Sequence, residues 1–339
     1  MQVAQAGKTW SSLRTGELIR NNASWIALGA LVVFLLISAP SFFTGVNFLD
    51  MLKSASEMGL VAIGETLVIL AGGFDLSVAA IMLLGGMVFG ILFMNLGLPV
   101  GVAVLATLAT TVGLGLANGL LVTKVKLPAF IATFATMFVF TGASFALGEG
   151  RAIYHIRDPF FTFLGQGKLG MVPIPSIIFI VVVIIAYLLL STTRFGRTIY
   201  AVGGNENAAY MSGMNVDRTR LITYMISGFL SGLAGLILTS RLEAAQVVAA
   251  QVSGYSVTLL DAIAAVMIGG ISIFGGKGRM SGLIGGILLI QVLTNGIATL
   301  GADSNFHLLA KGLLMALAVG IDIYFGSGVG LRRRPKLHS

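Results

Sequence analysis

Apolar runs of about twenty residues follow one another along almost the whole chain, and that length matches the hydrocarbon thickness of a bilayer. They fall near 25–41, 50–71, 77–95, 99–122, 129–148, 174–191, 219–240, 255–274, 280–300 and 306–326. In hydrocarbon a backbone has no water to bond, so runs of this kind fold as helices. The expectation is an all-α, polytopic helical membrane protein with about ten transmembrane helices. Only 10% of residues are charged, against roughly 25% in a soluble domain. Residues 1–24 form a basic N-terminal segment, 25–326 the transmembrane domain and 327–339 a basic tail. The polar stretch before Trp25 is too long for a signal peptide, so Trp25–Ala39 reads as an uncut first span.

The net charge of +8 fits either a nucleic-acid surface or the Lys/Arg excess of cytoplasmic loops. The distribution favours the second. With the N-terminus inside, 15 of the 21 basic residues, among them Lys8, Lys124, Arg194, Arg279 and Arg332, fall on the inner side. Both termini are then cytoplasmic, no nucleic-acid partner is expected, and the loop 192–220 lies in the cytoplasm.

That loop, Thr192 to Arg220, is the longest polar stretch between apolar runs and carries Arg194, Arg197, Arg218 and Arg220. Asn205 to Gly213 (NENAAYMSG) reads as one short helix. Asn205 is placed to cap it, Glu206 favours its positive end and Gly213 stops it. An isolated helix this short is marginal in water, so it docks on something.

Two carboxylates fall in or beside the second span. Gly72-Gly73 ends that helix, and Asp75 or Ser77 can cap the next; Asp75 can alternatively bind an ion or substrate. Glu65 sits mid-span, where a carboxylate costs several kcal/mol unless paired, protonated or facing water. Glu57 lies on the same helical face with Lys53 one turn before it. That face points into a polar cavity, or Glu65 makes a buried structural hydrogen bond. Further along, Asp261 lies near the outer end of the eighth span. Gln291 and Asn295, four residues apart on the ninth, suit either interhelical hydrogen bonding or solute contact. Glu65, Gly72, Gly73, Asp75, Asp261, Gln291 and Asn295 are the candidate residues of a translocation path.

Several chemistries are excluded. There is no cysteine, and the three histidines are scattered, so no metal site is expected. No Ser-His-Asp grouping or catalytic carboxylate pair can be assembled, so the chain is not expected to be an enzyme. Gly165–Gly170 (GQGKLG) matches a dinucleotide fingerprint, but no strand precedes it; it lies in the external loop 149–175 with Arg157, Phe160 and Phe163. Gly275–Arg279 (GGKGR) is not a phosphate cradle, because Gly278 follows Lys277 where Ser or Thr is needed.

Four stretches together carry a resemblance: GGFDLSV (72–78), GQGKLGMVPIP (165–175), RFGRTIYAVGGNENAAYMSGMNV (194–216) and DAIAAVMIGG with GGKGRMSG (261–282). They resemble the permease subunits of bacterial ATP-binding cassette (ABC) sugar importers, the ribose-type branch, over roughly residues 45 to 325. The resemblance implies a type II ABC importer-like fold in the bacterial inner membrane. It also implies a second copy of the permease, cytoplasmic ATPase subunits that hold ATP and magnesium, an external solute-binding protein, and a sugar or similar small polar solute. No cofactor is expected in this chain. The family's ATPase-coupling helix maps onto Asn205, Glu206, Asn207, Ala208, Ala209 and Gly213. Importer permeases show Glu-Ala-Ala-x-x-x-Gly there; here Asn207 stands in place of Glu, and Glu206 supplies a charge one residue earlier. Glu65 also departs from the small or apolar residue usual in the family, which opens the reading of a cationic or unusually polar solute. The rival reading is a proton-coupled secondary transporter with Glu65 and Asp261 as carriers.

Overall fold

The computed structural model describes residues 23–246 and 255–301, with Leu309, Gly312, Leu313 and Ala316 singly. Apart from those four residues, the expected span 306–326 lies outside the described residues, as do the basic tail 327–339 and most of the N-terminal segment 1–24.

Twelve helices are labelled in chain order: α1 (Ala23–Ser38), α2 (Gly45–Leu70), α3 (Val78–Gly90), α4 (Val100–Thr123), α5 (Ala129–Leu147), α6 (Pro159–Gln166), α7 (Ile174–Thr192), α8 (Arg194–Gly204), α9 (Glu206–Met211), α10 (Val216–Leu242), α11 (Tyr255–Ile268) and α12 (Met280–Thr299). A π-helical turn, Ile91–Asn95, continues α3. The class is all-α and polytopic. Among the described residues, six helices are long and apolar enough to cross a membrane: α3 with its π turn, α4, α5, α7, α10 and α12. Helix α2 is longer than most of these but carries Asp50, Lys53, Glu57 and Glu65.

Local chemistry explains where the helices differ from the apolar runs. Helix α2 starts at Gly45, five residues ahead of its run, because the Thr44 side chain accepts from Asn47 N at 3.3 Å and caps it. Helix α11 stops at Ile268, since Gly269 and Gly270 follow and Gly270 has φ +76. Helix α10 runs past its apolar run at both ends, capped by Asn215 and closed by Glu243 in the left-handed region. The polar loop holds two helices where the sequence predicts one. Helix α8 is capped by Thr193 and buries Gly196, Ile199 and Val202, a three-residue spacing that seats one face on the body.

Helices α2 and α10 form the buried axis. Every side chain of α2 from Ala55 to Leu70 is buried, and α10 packs on α2, α3, α4 and α6. Helices α4, α5 and α7 are peripheral and turn apolar side chains outward, among them Leu105, Phe134, Phe138 and Ile184. At the end remote from α9, Ile153–Tyr154 pairs antiparallel with Ala244–Ala245, and Lys168–Leu169 with Val172–Pro173. The second hairpin accounts for the glycine-rich GQGKLG: Gly170 has φ +62 in its turn, and Gly165 N donates to Ser240 Oγ at 2.8 Å where α6 meets α10.

Candidate functional site

Helix α9 has the caps that its sequence predicts. Asn205 Oδ1 accepts from Ala208 N at 3.0 Å. At the other end Gly213, with φ +78, donates its N–H to Tyr210 O and Met214 donates to Ala209 O, which is a Schellman closure. Ala209 faces inward with Val202, Met214 and Val216 in a small apolar cluster. Glu206, Asn207 and Ala208 are exposed. So are Tyr210, at 69%, and Met211, at 84%, large side chains in a helix too short to be stable undocked.

A second construction lies directly beneath α9, at the turn 71–77 between α2 and α3. Three residues of α10 at i, i+4 and i+7 grip this turn from one helical face. Arg220 Nε donates to Ala71 O at 3.3 Å, the Tyr224 hydroxyl donates to Phe74 O at 3.1 Å, and Ser227 Oγ donates to Asp75 Oδ2 at 3.3 Å. From the other side, Thr133 Oγ1 donates to Phe74 O at 3.1 Å. Asn118 Nδ2 donates to Ser77 Oγ at 2.7 Å and is itself held by Thr136. Asp75 Oδ1 accepts from Ser77 N and Ser77 Oγ at 3.0 and 2.6 Å, an Asx turn just ahead of α3, whose N-cap residue Ser77 makes no side-chain capping bond. The turn is a hub that joins α2, α4, α5 and α10 through buried and part-buried hydrogen bonds. Each such bond is worth more in place than its net value suggests, because losing one partner strands the other.

Glycines let the backbone segments meet at this hub. A Cβ on Gly203 would come closer than 3.0 Å to Leu70 C and Gly276 N, and one on Gly275 would meet Gly203 O at 2.9 Å. Gly72 has φ +76, and Gly276 N donates to Leu70 O at 3.0 Å. The end of α2, the end of α8 and the turn 271–279 therefore touch backbone to backbone. Tyr200 adds a bond from its hydroxyl to Gly278 O at 3.0 Å; burial raises its phenol pKa and Arg279 opposes the rise.

The candidate path residues do not form one cluster. Glu65 and Asp75 are together: Glu65 is fully buried and its Oε1 accepts from Asp75 N at 3.2 Å. Glu65 Oε2 has no hydrogen-bond partner among the described residues. Gly72 and Gly73 belong to the same turn. Glu57 lies elsewhere, in a two-point ion pair with Arg241 of α10 at 2.7 and 2.9 Å, while Lys53 pairs with Asp50. Asn295 exchanges two hydrogen bonds of 2.8 Å with Asn47, an interhelical clasp between α12 and α2. Gln291 is half-buried on α12, and Asp261 is buried on α11, apart from the hub. The sequence reading missed Arg220, Tyr224, Ser227, Asn118, Thr133, Gly203 and Gly276. The available signal was the four-and-three spacing of Arg220, Tyr224 and Ser227, polar positions on one face of an apolar helix.

At the remote end, Arg157 and Gln166 bond Glu243, and Arg157 holds the Glu243 carboxyl below the usual carboxylate range. A depressed carboxyl contributes stability above its unfolded pKa and loses it as pH falls through the folded one. Hydrogen exchange at Ile156, whose N–H bonds Glu243 O at 3.0 Å, is therefore expected to quicken as pH drops below the ordinary carboxylate range. The expected change, after correction for intrinsic exchange, disappears in Arg157→Gln.

A family model described as "Branched-chain amino acid transport system / permease component" matches residues 47–319. The ribose import permease protein RbsC of Bacillus subtilis is 42% identical over 299 residues, covering 88% of this chain and 91% of the relative. The D-allose transport system permease protein AlsC of Escherichia coli is 35% identical over 290 residues, 86% of this chain and 87% of the relative. The L-arabinose transport system permease protein AraH of Escherichia coli is 34% identical over 306 residues, 88% and 91% respectively. No solved structure matches the chain.

Proposed function

Because this chain belongs to the family described as branched-chain amino acid transport system permease components, we propose that it is the transmembrane subunit of an ATP-driven ABC importer that forms the translocation path for a sugar. The similarity to ribose, allose and arabinose permeases over nearly the whole chain carries this reading. The protein sits multi-pass in the bacterial inner membrane, with about ten spans and both termini in the cytoplasm. Two copies, or one copy and a close paralogue, enclose the path. A solute-binding protein delivers sugar at the end that carries α6. ATP and magnesium act on separate ATPase subunits at the α9 end.

Helix α9 is the part that receives those ATPases, through Asn205, Glu206, Asn207 and Ala208 with Ala209 and Gly213 setting its seat. Two features support this: Tyr210 and Met211 are exposed on a six-residue helix, and the chain has no nucleotide motif of its own. Gly213→Trp tests it. The left-handed φ of +78 at Gly213 strains any L side chain, and the bulk would sit beside the docking face. The expected result is permease that remains in the membrane while sugar-stimulated ATPase activity falls about tenfold or more, within the usual span of coupling free energies. Unchanged coupling would remove the assignment of α9. Sugar uptake by the purified chain alone, under a pH gradient and without ATP, would overturn the importer reading in favour of Glu65-based proton coupling.

A further inference from the structure

Helix α9 touches the membrane body through little apolar surface: Val202, Ala209, Met214 and Val216 are its cluster. One polar side chain supplements that contact. Arg220 Nη2 donates to Glu206 Oε2 at 2.7 Å, while its Nε donates to Ala71 O at 3.3 Å. A single guanidinium thus links the first residue of α9 to the carbonyl that follows the last residue of α2. Both ends of the bridge are electrostatically favourable, since Glu206 lies at a helix N-terminus and Arg220 at the C-terminus of a 26-residue helix. The Arg220 side chain is 17% exposed, so it is set under α9 and away from its outer face. Gly72 lies against it: a Cβ there would be in ordinary contact, 3.5 Å from Arg220 Nη2. The same helical face then continues to Tyr224 and Ser227, which grip Phe74 O and Asp75.

We propose that Arg220 is the positioning residue that transmits displacement of α9 to the α2–α3 turn, and that the Glu206–Arg220–Ala71 bridge is what couples ATPase movement to the membrane helices. The inference rests on the importer reading above and adds the route. A guanidinium suits this role because its planar fork donates in two directions at once, which a lysine ammonium on its flexible stem does with less geometric control. Pushing or pulling α9 moves Glu206, and through it Arg220. The turn follows because it is bonded to α10 at three places, and Glu65, Asn118 and Thr133 then move with it.

The test uses the full importer, permease with its ATPase and solute-binding protein, reconstituted in lipid. Wild type is measured first for stimulation by binding protein loaded with ribose, allose or arabinose. Failure of wild type to assemble or to respond to any of the three removes the importer reading, and the proposal with it. Given a responding wild type, the readout is the ratio of sugar-stimulated to unstimulated ATPase activity in Glu206→Gln, Arg220→Gln, the double variant and Arg220→Lys. The expected result is that ATPase still co-purifies with Arg220→Gln while the ratio falls about tenfold. Glu206→Gln falls in the same direction, and the double variant is no worse than Arg220→Gln alone, as required when both changes break one bridge. Arg220→Lys recovers part of the ratio. If Arg220→Gln does not accumulate, Glu206→Gln and Arg220→Lys decide the matter, since Glu206 is half exposed and Lys keeps the charge. An unaltered ratio, additive losses, or loss of the ATPase from the Arg220→Gln complex would each overturn the proposal.

Discussion

Gly228→Leu is expected to leave no folded protein in the membrane. Gly228 of α10 faces Thr111 and Gly115 of α4, and a Cβ built on it would come closer than 3.0 Å to Thr111 O. Gly115 answers it from α4: a Cβ there would meet Tyr224 C at 3.0 Å and Gly228 Cα at 3.2 Å. Two backbones in contact can make room only by separating the helices. Separation would draw Tyr224 and Ser227 away from the α2–α3 turn, because they lie on the same stretch of α10. Overpacking a core against movable side chains costs about 1–3 kcal/mol; against a backbone carbonyl the cost is at the upper end or above. In lipid no hydrophobic term recovers the loss, since the tails are as apolar as leucine. The measurement is size-exclusion profile and thermal unfolding after detergent extraction. Gly113→Leu is the control, because nothing lies within 4 Å of a Cβ at Gly113 on the same helix α4. A monodisperse Gly228→Leu protein with wild-type melting would contradict the packing.

The second large effect is expected at Arg241. Its guanidinium meets both oxygens of Glu57, whose side chain is only 8% exposed. Arg241→Ala leaves that carboxylate in the helix packing with its counter-charge removed. Breaking a buried pair costs roughly 3–5 kcal/mol, and the partial exposure of Arg241, at 32%, sets the expectation near the lower figure. Replacing both partners, Glu57→Leu with Arg241→Leu, is expected to recover most of the loss, because the isolated charge and not the missing pair is what destabilises. Denaturant unfolding in detergent of wild type, Glu57→Leu, Arg241→Leu and the double variant gives the cycle, beside Arg241→Ala. Equal destabilisation in the double variant would show that the pair itself supplies the stability.

Much of this protein is written in hydropathy alone. Helices α4, α5, α7 and α12 start and stop within about two residues of their apolar runs, since a backbone in hydrocarbon has no alternative to the helix. Helix α9 was legible for a different reason: Asn205 and Gly213 act on backbone groups three or four residues away. Helix α8 was not read, although Gly196, Ile199 and Val202 carry its period, because its polar residues dominate the composition of the loop. For Glu65 and Asp75 the sequence supplied only alternatives. In the structure Asp75 turns its carboxylate onto Ser77 just ahead of α3, and Glu65 is enclosed beside it. Asn295 likewise resolves to a partner, Asn47, that is 248 residues away in the chain.

Composition and local signals, then, determined the helical class, most of the helices and the short helix α9. These depend on the solvent and on neighbours within one or two turns. Only the tertiary structure decided which carbonyl each buried polar group meets and which glycines let backbones touch. Arg220 shows the division. Its sequence context marks it as one arginine among four in a polar loop, and nothing within reach along the chain gives it a role. Its acceptors are Glu206, fourteen residues away, and Ala71, 149 residues away, and only packing α10 across the end of α2 brings them within one guanidinium.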